Sequence, residues 1–129
     1  VASFYLVTGD SVSANDFVFV NSVGLVFKAS ALTQAQATTV GVALNSAAAG
    51  GFVKIESDAF VATFSGLSPG DMQYVAVASG EIANYPNWIN AVVSGGYDGA
   101  YLTPVGRAIS SSGIEIERGL PTFISASGL

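Results

Sequence analysis

The chain has 129 residues, half of them apolar and only 10% charged, against roughly 25% charged in an ordinary soluble protein. Nine acids and four bases give a net charge of −5, which argues against nucleic-acid binding because so few cations cannot neutralise a run of phosphates. The absence of histidine and cysteine removes Ser-His-acid and Cys-His catalysis, thiolate metal sites and disulfides, and no apolar run approaches the about 18 residues of a membrane-spanning helix.

Residues 1–15 are expected to form an amino-terminal arm or edge strand, because Val1 to Val7 is apolar and lacks the basic flank of a signal peptide. A single β domain then covers residues 16–129. Asp16 to Val20 and Leu25 to Ala29 flank Asn21-Ser22-Val23-Gly24 and read as a hairpin. Ala31 to Thr38 is the one short helix candidate. Val40 to Asn45 and Gly51 to Ser57 form a second strand pair, in which period-2 alternation sets Val53 and Ile55 on one face and Lys54 and Glu56 on the other. Ala59 to Phe64 alternates again, and Ser65 to Gly70 turns the chain with Pro69 and Gly70. Met72 to Ala78 is a strand, Glu81 to Asn90 reads as a long loop, and Val105 to Ser110, Ile114 to Glu117 and Thr122 to Ser125 are the last strands.

One pattern recurs. Val40-Gly41-Val42-Ala43-Leu44-Asn45-Ser46 returns 65 residues later as Val105-Gly106-Arg107-Ala108-Ile109-Ser110-Ser111, and each copy leads through a small-residue turn into an Ile-Glu strand. Glycine inside a strand marks a bulge, a bend or a close backbone approach, so two such strands suggest a pseudo-symmetric sandwich or barrel.

The remaining chemistry is thin. Glu115 and Glu117 share a strand face, with Arg107 across from them, and two carboxylates are the minimum for glycoside hydrolysis; a solvated strand face is the simpler reading. Asp98 sits in a glycine-rich turn without the regularly spaced oxygen ligands of a calcium loop. Tyr85, Trp88, Tyr97 and Tyr101 cluster in the stretch of weakest periodicity, the composition of a contact surface, unless the loop folds back and tucks Trp88 over the core. Phe4, Tyr5 and Leu6 would let the amino-terminal segment pair with a neighbour as an added strand.

The ordered set Gly41-Val42-Ala43-Leu44, Ala47 to Gly50, Gly66 to Gly70, Tyr74-Val75, Gly80-Glu81-Ile82 and Pro104 to Ser110, spread over residues 16 to 118, resembles a module of tailed-phage structural proteins. It is similar to the capsid cement, or decoration, proteins and also to segments of tail fibres. The resemblance implies an all-β, single-domain β-sandwich or β-barrel, β-tulip-like, with at most one short helix. It further implies a non-enzymatic virion protein without cofactor, on the outer surface of the capsid, forming a homotrimer and binding the major capsid protein. The alternative is a tail-fibre or baseplate module that binds a receptor glycan through the Tyr85 to Tyr101 region.

Overall fold

The alternating runs of the sequence become strands in the computed structural model, which describes residues 3–129. The first half contains β1 (Ser3–Val7), β2 (Phe17–Val20), β3 (Val26–Lys28), the one-turn helix α1 (Gln34–Ala37), β4 (Gly41–Ala43) and β5 (Phe52–Glu56). The second contains β6 (Phe60–Val61), β7 (Met72–Val75), β8 (Ile82–Ala83), the helix α2 (Tyr85–Ser94), β9 (Gly99–Leu102), β10 (Pro104–Ala108), β11 (Ile114–Ile116) and β12 (Thr122–Ser125). The chain is therefore all-β, with 37% of residues in strands and one helix longer than a turn or two.

Both halves use one topology. The first sheet runs β1-β5-β4-β2-β3 and the second β6-β11-β10-β7-β8, every neighbouring pair antiparallel. Each strand of one sheet thus has a counterpart at the same place in the other. The turns match as well: the Asp16 N–H donates to Ser13 O and the Asp71 N–H to Ser68 O, both at 3.1 Å. The next bonds correspond too, from Asn15 N–H to Ala43 O at 2.8 Å and from Gly70 N–H to Ala108 O at 2.7 Å. Asn15, with φ of +76°, stands where the other half has Gly70 at φ +93°. Asparagine tolerates that left-handed conformation better than other side chains do.

The recurring glycine explains the sequence repeat. Gly41 and Gly106 have φ of +149° and +154°, and a Cβ at either would fall on a carbonyl oxygen of the neighbouring strand, Glu56 O or Glu115 O. It would also lie 2.8 Å from Ile55 Cγ2 in one half and 2.9 Å from Ile114 Cγ2 in the other. The Gly-x-Ala strand and the Ile-Glu strand are thus one packing unit, used twice.

Closure differs between the halves. A parallel bridge from Thr8 to Val26, with the Gly9 N–H donating to Val26 O at 2.9 Å, joins the end of β1 to β3 and curls the first sheet into a small barrel. Its interior is Val12, Val18, Val26, Ala43, Val53 and Ile55. A second cluster mixes the halves, with Phe17, Ala29 and Val42 against Val75, Val105 and Ile114. Main-chain bonds also cross, including Phe17 N–H to Gly80 O at 3.0 Å and Ala31 N–H to Ala76 O at 3.0 Å. Arg118 adds a tie, its Nε donating to Ser57 O at 3.0 Å and its Nη1 to Thr39 O at 3.1 Å.

Two expectations change. Glu81 to Asn90 is not one long loop: it holds β8 and most of α2, whose N-cap Asn84 accepts from the Asn87 N–H at 3.1 Å and whose first turn holds Pro86. Trp88 and Val92, four residues apart, form its buried face against Ala31 and Ala100. Glu56, which alternation sets with Lys54 on the face away from Val53 and Ile55, is nonetheless buried, in β5 beside Val42 of β4. Of the two readings of the amino-terminal segment, arm or edge strand, Ser3–Val7 takes the second: β1 stands at the end of the strand order and pairs with β5 from Ser3 opposite Glu56 to Val7 opposite Phe52. Residues 1 and 2 of that segment lie outside the described residues.

Gly41→Ala and Gly106→Ala should each cost on the order of 2–5 kcal/mol, combining left-handed backbone strain with displacement of a strand carbonyl. Gly24→Ala, at φ +86° with open space around it, should cost only about 1–2 kcal/mol. Urea unfolding midpoints check this; equal losses at all three sites would refute the close approach.

Candidate interaction surface

No catalytic constellation assembles from the candidate acids. Glu115 pairs in register with Arg107, as the strand reading expected, but the Arg107 Nη1 donates to Gly70 O at 2.7 Å; Glu115 and Glu117 are exposed. Asp98 is exposed, and its carbonyl oxygen accepts from the Ala126 N–H at 2.8 Å. Among the described residues no three acidic, histidine or cysteine side chains gather as a metal cage.

The aromatic candidates separate into three places. On the first barrel, alternation turns Leu6 inward, where it packs half-buried on the interior cluster opposite Val53. Tyr5 points outward, 64% exposed, and the Lys54 ammonium lies 5.9 Å from its ring centroid. Phe52, opposite Val7 and 68% exposed, continues the outer face, while Phe4 is partly exposed opposite Ile55. Tyr5 and Phe52 therefore form an apolar strip beside β1, the terminal strand of its sheet.

At the helix, Trp88 is fully buried and leaves the proposed contact set; of the two readings of this segment, the one that tucks Trp88 into the core is correct for that residue. Tyr85 stacks on it at 6.4 Å with an 8° interplanar angle and also meets Tyr74 at 6.1 Å, keeping part of its ring exposed. Tyr97 follows the far end of α2. Ten helical residues at about 1.5 Å each set it roughly 15 Å along from Tyr85, so the two do not share a patch.

The third place is the β9-β12 ribbon. Tyr101 is half-buried and meets Phe123 edge-to-face at 5.3 Å, with Phe123 itself exposed. Leu120, 82% exposed, lies just before this ribbon in sequence.

Phe52, Leu120 and Phe123 were not among the sequence candidates. The signal for Phe52 was present, because alternation that sends Val53 and Ile55 inward sends Phe52 outward with Lys54. Nothing local marks Phe123, whose partner Tyr101 is distant in sequence.

No protein-family model matches the chain, and no curated protein is significantly similar to it.

Trp88→Ala should cost about 3–5 kcal/mol by cavity formation. Trp88→Phe should cost clearly less, because the indole Nε1 has no hydrogen-bond partner among the described residues to lose. Thermal unfolding of the two variants checks the assignment; equal losses would mean that the indole N–H is held.

Proposed function

We propose that this chain is a capsid cement protein of a tailed phage, a non-enzymatic virion component that binds the outer surface of the assembled head as a homotrimer. Its partner is the lattice of major capsid protein. The observation that carries this reading is the charge-poor surface with large apolar side chains left outward, above all Tyr5 and Phe52 beside the β1 edge. Large apolar groups exposed on one sheet face in this way mark interaction sites. The ordered turns that resemble decoration proteins support the same reading.

The mechanism is linkage. A protein that binds the assembled lattice and not the free subunits stabilises the lattice by mass action, by about 2.7 kcal/mol per site when present at a hundredfold excess over its Kd. With 10% charged residues, the contact rests on apolar burial rather than ion pairs, and burial of that kind is not weakened by screening.

Sedimentation should show a trimer, and the protein should add to undecorated heads in fixed ratio and stay bound in about 1 M salt, where charge interactions are screened beyond roughly 3 Å. Tyr5→Ser with Phe52→Ser should weaken head binding at least about tenfold, as expected for aromatic anchors, without lowering the melting temperature. A monomer that leaves heads undecorated overturns the proposal.

A further inference from the structure

The duplicated fold supplies its own internal comparison, and it singles out Gln73. Gln73 pairs with Gly106 as Val18 pairs with Gly41, so the two residues occupy the same place in the two halves. Val18 is fully buried in the closed barrel; Gln73 is only 4% exposed, yet it carries an amide. That amide has no hydrogen-bond partner among the described residues, and it lines a cavity of about 210 Å³. The amide opens on that cavity instead of being sealed in the core, so it is free to bond to what enters, whereas valine fills the same place in the other half.

The cavity is the middle of three in series. Phe64 and Ile82 are shared with a cavity of about 250 Å³ that reaches Asn15, Asp16 and Glu81. Asn84 is shared, on the other side, with a cavity of about 160 Å³ that reaches Asp71, Tyr74 and Tyr85. Each is smaller than the roughly 300 Å³ at which sites for drug-sized ligands begin, and so suits one ring-sized unit. Apolar or aromatic side chains line all three, Phe64 and Ile82 in two of them and Tyr74 and Tyr85 in the third. The middle cavity is lined by Phe64, Leu67 and Ile82 together with Gln73 and Asn87, while the Asn84 amide is held by the Asn87 N–H and the Asp71 carboxylate.

We infer that this groove binds a neutral or amino-bearing oligosaccharide, about three sugar units long, with the central unit hydrogen-bonded to the Gln73 amide. A pyranose has a C–H face for the apolar wall and hydroxyls that both donate and accept, which is what an amide requires. A repeating polymer of rings matches a recurring apolar wall better than an extended peptide does. The lining contains Asp16, Asp71 and Glu81 and no Lys or Arg, which disfavours sialylated, uronic or sulfated glycans. The inference stands independently of the capsid role proposed above.

The test is a glycan microarray carrying neutral, amino-bearing and anionic oligosaccharides, probed with the full chain. Binding is expected to neutral or amino-bearing glycans of three or more units, with anionic ones unbound. Gln73→Val, which installs the residue of the other half, should weaken binding at least about tenfold while leaving the melting temperature unchanged or raised. Asn87→Ala removes an exposed side chain that no other group holds, so it should weaken binding without affecting folding even if Gln73→Val lowers the melting temperature. Absence of glycan binding, preference for anionic glycans, binding undisturbed by both substitutions, or capture of a capsid-protein peptide in this groove would each overturn the inference.

Discussion

At two positions a strand lies so close to its neighbour that no side-chain carbon fits between them, and the rest of the architecture depends on that approach. Gly41 sits against the main chain of Ile55 and Glu56, Gly106 against that of Ile114 and Glu115. Each glycine takes a positive φ at this approach, and Ala43 and Ala108, two residues further along β4 and β10, are fully buried. The remaining strands then fall in the same order around each pair. A sequence repeat of seven residues is thus the visible part of a repeat of the whole five-strand unit.

The two halves put this unit to different uses. The first closes through the Thr8 to Val26 bridge and fills its barrel with Val18, Val26 and Val53. The second carries longer material between its third and fourth strands, α2 and β9 in place of the one-turn α1. Helix α2 brings Trp88 and Val92 to a separate small core with Ala31 of the first half. The outer residues Phe17 and Val42 of the first barrel contribute to a cluster with the second half, so the halves share a core instead of standing apart. Cavities remain in the second half around Gln73, where the first half is filled.

Much of this was legible in the sequence because it is local. The β2-β3 hairpin, the β4-β5 pair and the inward alternation of Val53 and Ile55 follow from period 2 and turn residues. Helix α2 was missed because Asn84-Tyr85-Pro86-Asn87 has the composition of a turn; the same residues are an N-cap with proline in the first turn, and Trp88 with Val92 gives the helical spacing. Burial of Glu56 and the pairing of Tyr101 with Phe123 depend on chain segments remote in sequence, which a local pattern does not encode. The candidate surface was half legible: Tyr5 is exposed, while Trp88 is in the core and Phe52 takes a place on the surface that its alternation already implied.

A unit used twice, poor in charge and with aromatic rings left outward, is suited to covering other protein surface in many copies. The most direct measurement of that claim is the number of copies of this chain in intact purified particles, by quantitative mass spectrometry against the major capsid protein. The capsid account predicts hundreds of copies in a fixed ratio to the lattice subunit, whereas a handful per particle would place the chain in the tail and contradict it.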